Sequence, residues 1–406
     1  MEYYIIIAAS VIIVLSYLFN HVSTKSSIPS VLLLIILGIV GREVIGVFGV
    51  EKERILEIFA RIRILEVLGT LGLILIVLEA ALELKIAKDK LKLISKSFFI
   101  ALSGLLLCMF SISAILIYSF ESMDWPTALV YATPLSILSS AIVIPSVANL
   151  GEKDEEFHIY ESTFSDILGI MIFYFLVELG KSSSSVMVLG DFTFGLVITI
   201  VTSIILSYVL IYVFQNLETK VKLFLMIAVL FLLFSVGKLM HLSSLLIILV
   251  FGLILNNYKL FFVGRLRKYL RPMAIENIRE TFLMITIESA FVVRTFFFVI
   301  FGFSIALSAL FDIKVAIVSA VILVIIYLTR FISFIPYKHE NLKRALTIAP
   351  RGLITLLLFY SIPEEYHSEE FKSGILLFII IVTSLVMTSG LVKKEPKKEE
   401  EISEVE

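Results

Sequence analysis

The chain has 406 residues, 59% of them hydrophobic and 17% charged, and its mean hydropathy is +1.03. Water-soluble domains run about 45–50% apolar and about 25% charged, so a soluble globular fold is excluded and lipid is the expected surrounding. The formal charge of −1 gives no global attraction to nucleic acid or to acidic substrates, and no nucleic-acid partner is expected.

In chain order, windows of about 19 residues place spans at 3–20, 28–48, 65–84, 97–120, 126–150, 158–179, 190–214, 221–238, 242–257, 287–309, 313–336, 344–361 and 373–392. At about 20 residues per span, these use most of the chain and leave no room for a separate soluble domain. The runs are apolar on every face, whereas barrel strands of about ten residues alternate. An all-α polytopic membrane protein is therefore expected, since helices satisfy their own backbone in lipid. The opening Met1-Glu2-Tyr3-Tyr4 has no basic region or small-residue cleavage site and reads as the start of a retained first span. Ile275, Ile278, Phe282 and Ile285 recur at helical spacing and predict, over 265–286, an amphipathic segment along the interface before the tenth span. The membrane domain is expected over 1–392, followed by a charged cytoplasmic tail, 393–406, too polar to pack.

The basic residues set an expected orientation. Lys85, Lys88, Lys90 and Lys92, then Arg265, Arg267, Lys268 and Arg271, then Lys338, Lys343 and Arg344, then Lys393, Lys394, Lys397 and Lys398 all fall on one side of the span pattern. Glu121, Asp124, Glu364, Glu365, Glu369 and Glu370 fall on the other. By the positive-inside rule the N-terminus is outside and the C-terminus cytoplasmic. Short loops and this bias favour a bacterial inner (plasma) membrane.

Enzymatic and cofactor chemistry finds little support. The lone Cys108 excludes an intrachain disulfide framework and a multi-cysteine metal site, and the five histidines form no His-x-x-x-His pair. No Ser/His or paired-Asp set lies at span depth, and no phosphate-binding glycine loop is present. No enzyme activity and no cofactor are expected.

Ionisable residues inside apolar runs carry the functional argument, because a charge at the bilayer centre costs about 2.5–3.5 kcal/mol on insertion scales. Asp166 lies deep in ESTFSDILGIMIFYFLVEL, with the hydroxyls of Ser162 and Ser165 at i−4 and i−1. A carboxylate among hydroxyls suits a small hard cation or a proton, so the two are expected to compete for one oxygen pair. The competing reading is a carboxylate that locks two helices through a buried base. Glu161, five residues earlier, points elsewhere at 100° per residue and is expected to form a structural ion pair. Arg330, in VILVIIYLTRFISFIPY, needs a buried acceptor and can serve Glu161, whereas Arg294 is expected to snorkel to the interface. Glu79, in LGLILIVLEAALELK, either lines an ion path or reaches the interface.

Two spans are interrupted. In YATPLSILSSAIVIPSVANL, Pro134 and Pro145 bracket Ser136, Ser139 and Ser140; a proline in a helix removes a backbone bond, giving either a break that presents Ser139 and Ser140 to an ion or a simple kink. In RALTIAPRGLITLLLFYSI, Pro350, Arg351 and Gly352 interrupt the run, and Arg351 sets a fixed charge at the break. The interrupted spans are fifth in the first six and fifth in the last six, a sequence pointer to an inverted-repeat transporter.

The chain resembles the monovalent cation:proton antiporters, the sodium/proton exchanger superfamily, through IPSVLLLIILGIVG, LILIVLEAALEL, LSSAIVIPSV, ESTFSD, the arginine of span eleven and APRGL. The resemblance implies two inverted six-helix repeats, over 1–180 and 221–392, joined by a linking helix at 190–214. It also implies a mobile core with crossed broken spans and a scaffold that forms a homodimer. By that resemblance Asp166 is the ion-binding aspartate, Glu161 pairs with Arg330, and Arg351 is the helix-break arginine. Ser165 stands where electroneutral relatives have Asn and electrogenic ones Asp. Leu138-Ser139-Ser140-Ala141 stands where many relatives have Thr-Asp-Pro, closer to the Ser-Ser-Thr of potassium/proton-type relatives.

The expected function is exchange of a monovalent cation (Na⁺, K⁺ or Li⁺) for H⁺. Electroneutral turnover follows if Asp166 holds either ion but not both. Two other classes remain open: a sodium-coupled organic solute symporter of the same fold, distinguished by solute-dependent Na⁺ uptake, and a cation channel, which needs a continuous polar stripe.

Overall fold

The computed structural model describes residues 2–26, 29–47, 52–86, 88–147, 150–180, 185–216, 222–239, 244–262, 270–305, 312–337 and 341–392. The tail at 393–406 and the basic residues Arg265, Arg267, Lys268 and Lys338 lie outside the described residues. Among those described there is no strand.

The helices are α1 (Glu2–Ser26), α2 (Ser30–Val47), α3 (Lys52–Arg61), α4 (Ile64–Glu83), α5 (Leu91–Ser119), α6 (Trp125–Ser136), α7 (Ser140–Val147), α8 (Glu152–Gly180) and α9 (Ser185–Gln215). They continue with α10 (Lys222–Leu239), α11 (Ser244–Asn256), α12 (Tyr258–Phe261), α13 (Pro272–Ser304), α14 (Ile313–Phe334), α15 (Leu342–Thr347), α16 (Leu353–Tyr360) and α17 (Gly374–Val392). Among the described residues, 9 stretches are long and apolar enough to cross a membrane, the α6–α7 pair counted as one. Helix also occupies the remaining expected spans, in shorter pieces.

Of the interfacial helix expected over 265–286, the part from Pro272 on is not a separate element. Pro272 opens one continuous helix that runs through the expected tenth span to Ser304. Its charged first half stays in line because Ile275, Ile278 and Phe282 are buried against protein, while Arg279 folds back on Glu276 at 2.7 Å. Amphipathicity here marks a helix face turned to neighbouring helices.

Packing divides the bundle. α13 runs along α2 and α4, α11 packs on α4 and α9, α10 on α11, and α1 on α2 and α13. A second group forms around α5, which packs on α6, α8 and α14; α7 lies on α8, and α17 on α14 and α15. α16 touches α4 of the first group and α6 and α8 of the second. In lipid, small residues allow helices to associate by close backbone approach. A Cβ on Gly38 would stand 2.1 Å from the Val299 carbonyl oxygen, and one on Gly302 would stand 2.2 Å from that of Ile35. α2 and α13 are thus fastened backbone to backbone.

Candidate functional site

The site is assembled where two interrupted helices meet. α6 stops at Ser136 and α7 starts at Ser140; α15 stops at Thr347 and α16 starts at Leu353. Pro134, Pro145 and Pro350 each lack the N–H that would continue a helical ladder. The two non-helical stretches brace each other, the Ser139 N–H donating to the Pro350 carbonyl at 3.0 Å. Glycine makes this approach fit: a Cβ on Gly352 would lie 2.6 Å from Ile142 Cδ1 and 2.7 Å from Ser139 Oγ. On the other side, a Cβ on Gly169 of α8 would lie 2.3 Å from Ile137, so α8 also yields space to the break.

α8 fills the exposed backbone of that break. Ser165 Oγ accepts the Leu138 N–H at 2.9 Å, and Asp166 Oδ2 accepts the Ser140 N–H at 3.1 Å. A carboxylate at a helix N-terminus meets free N–H groups and the positive end of the helix dipole. Asp166 is 3% exposed, and its Oδ1 is buried with no partner in the structure, as are Ser139 Oγ and, on α16, Thr355 Oγ1. Buried polar atoms in proteins are nearly always paired, so each of these oxygens has capacity to spare. Ser162 differs, because its hydroxyl donates to the His158 carbonyl of its own helix at 2.8 Å.

A second buried carboxylate of α8, Glu161, has different partners. Arg330 of α14 donates to Glu161 through both terminal nitrogens, at 2.9 and 3.2 Å, and through Nε to the Ala345 carbonyl of α15 at 2.8 Å. His158 Nδ1 lies 3.0 Å from Glu161 Oε2. This joins α8, α14 and the first half of the second interrupted helix. Arg351 is buried at that second break; its N–H donates to Thr383 Oγ1 at 3.0 Å, its guanidinium reaches Cys108 Sγ at 3.7 Å, and its Nε has no partner. A cavity of about 30 Å³, lined by Cys108, Glu161, Ser165, Arg330 and Arg351 among others, is large enough for water.

A larger cavity of about 320 Å³ opens between α1, α2, α4, α7 and α13. Glu79 and Glu83 of α4, Glu288 and Arg294 of α13, and Ser140 of α7 are in its wall. Glu79 therefore faces this cavity, which reaches the residue whose N–H holds Asp166. Arg294 corrects the sequence expectation. It turns to Glu79, with Nη2 3.7 Å from Oε1, because the opposing helix offers an acid within its reach.

Sequence reasoning missed His158, Cys108 and the Ala345 carbonyl as neighbours of the buried charges. His158 carried a signal, its i−3 spacing from Glu161 on one helix face; the other two are brought in only by packing. Among the described residues no three His, Cys, Asp or Glu side chains are grouped to hold a metal ion, so a cation at Asp166 would draw on hydroxyl and carbonyl oxygens.

The fold is similar to two solved structures of the sodium proton antiporter MjNhaP1 from Methanocaldococcus jannaschii. One, determined at pH 8, has a TM-score of 0.67 and 22% identity over 97% of this chain and 95% of that one. The other, from electron microscopy, has a TM-score of 0.65 and 21% identity over 97% and 95%. No curated protein matches the sequence. The sequence model described as "Sodium/hydrogen exchanger, transmembrane" matches residues 9–394, nearly the whole length, and the chain belongs to that family of membrane antiporters.

Proposed function

We propose that the protein exchanges one monovalent cation, Na⁺ or K⁺ with Li⁺ also admissible, for one H⁺ at Asp166. The observation that carries this is the state of its carboxylate: one oxygen held by the Ser140 N–H, the other buried without a partner. A bare carboxylate in that setting is costly, and either a proton or a cation relieves the cost. The Ser139 hydroxyl, free and on the adjoining break, would supply a further cation ligand, with Ser140 and Ser165 fixing the backbone around it. The Ser162 hydroxyl, committed to its own helix, would keep that helix turn in shape.

Only one carboxylate serves both ions, so each half-cycle carries the same net charge and exchange is electroneutral. The neutralised site crosses the apolar barrier at low cost, and the vacant one does not; this couples the two fluxes. The helix group around α5 would move as a body against the group around α13, in the alternating-access manner of inverted-repeat transporters. Glu161 and Arg330 would hold the moving body together, and Arg351 would offset the carbonyl ends of the broken helices. Glu79 would line the path through the larger cavity. We place the N-terminus outside and the C-terminus in the cytoplasm of a bacterial inner membrane, with the α1–α13 group forming a homodimer.

The test uses purified protein in vesicles containing a pH dye, with Na⁺, K⁺ or Li⁺ added separately. Wild-type protein is expected to move protons on cation addition at a rate independent of membrane voltage, and Asp166→Asn to lose exchange altogether. Exchange by Asp166→Asn at the wild-type rate would overturn the carboxylate assignment; a rate that scales with voltage would overturn electroneutrality.

A further inference from the structure

We propose that Arg294 is a tethered counter-cation: it occupies Glu79 in the place of an incoming monovalent cation and so sets the cation concentration at which exchange half-saturates. The inference rests on cation/proton exchange at Asp166.

Among the described residues, the cavity wall carries Glu79, Glu83 and Glu288 against a single positive side chain, Arg294. Glu79 and Glu83 are one helical turn apart on α4 and share a face, and Arg294 of α13 reaches across the cavity to Glu79. Such an acidic cleft concentrates cations, and it ends at Ser140, beside Asp166. Any cation drawn toward Asp166 by this route meets Glu79 with the guanidinium already there.

The pair is built for release. Arginine binds carboxylates strongly when its fork engages both oxygens. Here one nitrogen stands 3.7 Å from one oxygen, beyond hydrogen-bond length, and the second oxygen of Glu79 has no partner. The guanidinium is therefore loosely held, and a small ion entering the cavity can displace it from Glu79. Arginine stays protonated at any working pH, so this competitor is constant and acts on cation affinity alone. It does not touch the transported ions at Asp166 and is a positioning residue, not a catalytic one.

The experiment measures cation-dependent exchange in vesicles for wild type, Arg294→Met, Arg294→Gln and Arg294→Lys, with Na⁺, K⁺ and Li⁺ in turn. Met and Gln remove the charge and keep much of the stem, and Lys keeps the charge. A partly exposed ion pair is worth up to about 1 kcal/mol, so KM is expected to fall about two- to fivefold in the Met and Gln variants, with the maximal rate unchanged and Lys near wild type. In a Glu79→Gln background the same replacements are expected to leave KM where Glu79→Gln alone puts it. An unchanged or raised KM, an equal fall in the Lys variant, or a fall that persists without Glu79 would each overturn the proposal. If Met misfolds, Gln decides on its own. Absence of exchange by the wild type would instead remove the underlying reading, and that outcome is visible before any Arg294 variant is compared.

Discussion

Glu161 and Glu79 each face an arginine from a helix distant in sequence, yet the two pairs are held to different degrees. Around Glu161 every acceptor is used: two bonds from Arg330 at 2.9 and 3.2 Å, a contact from His158 at 3.0 Å, and a third arginine nitrogen tied to the Ala345 carbonyl at 2.8 Å. Glu79 has one contact at 3.7 Å and an unused oxygen. The first pair has no lining role in the large cavity; both members of the second are in its wall. A buried pair with all bonds made fixes helices, while a pair with bonds to spare at the edge of a cavity can exchange partners. The same two residue types thus serve fastening and exchange, and only geometry tells them apart.

Breaking the tight pair gives the largest expected effect. Arg330→Met leaves Glu161 buried and uncompensated, at a cost of about 3–5 kcal/mol, against at most about 1 kcal/mol for Arg294→Met. The thermal midpoint of detergent-purified protein should fall far more for the first than for the second. Replacing both partners, Glu161→Gln with Arg330→Met, should regain part of the loss because no buried charge remains. Equal midpoints for Arg330→Met and Arg294→Met would erase the distinction between fastener and exchanging pair.

A smaller effect separates the fastener from the crossing it supports. Gly352→Ala adds a methyl where only 2.7 Å separates the position from Ser139 Oγ, and overpacking of this kind costs about 1–3 kcal/mol. The Glu161–Arg330 pair is untouched by it, so most of the protein's stability should survive while exchange falls at least severalfold through displacement of Ser139 and Ser140. If exchange persists at the wild-type rate, the close approach of the two breaks is not what holds the ion site. Vesicle exchange and thermal midpoint, measured on one preparation, separate the two effects.

These contrasts show where the sequence is readable. Apolar runs and their basic flanks locate the helices because lipid imposes one rule on every span; Pro134 and Pro145 bracket the first interruption from within α6 and α7, and Pro350 lies in the second. Which backbone atoms then meet is not local: the Ser139 N–H finds the Pro350 carbonyl across 211 positions of chain, and nothing in either segment names the other. Arg294 is the instructive error. Snorkelling follows from its own helix alone, whereas its actual direction is decided by Glu79 on α4. The described part of the segment 265–286 misleads in the same way, since an apolar stripe fits a protein neighbour as well as a membrane surface, and here Phe282 packs on Phe251 of α11.

Asp312 and Lys372 add a third ion pair, at the surface, and complete the series with the smallest expected effect. Asp312 caps α14, accepting the N–H groups of Lys314 at 2.9 Å and Val315 at 3.4 Å, and it pairs with Lys372. The hydrogen bond from Lys372, followed by the Lys314 N–H, holds its carboxyl below the usual carboxylate value. A depressed pKa in the folded state means that the stabilisation is complete above the unfolded pKa, near 3.9, and is lost as pH falls through the lower folded value. Asp312→Asn keeps a capping oxygen and loses only the charge. The midpoint should therefore drop slightly at neutral pH, and the gap to wild type should close as the pH is taken below about 4. Choline chloride, which adds ionic strength without an alkali cation, should narrow the same gap at neutral pH by screening, while leaving the Arg330→Met deficit nearly intact because buried pairs are screened much less. A gap that ignores both acid and salt would assign the whole contribution of Asp312 to its cap geometry and none to Lys372.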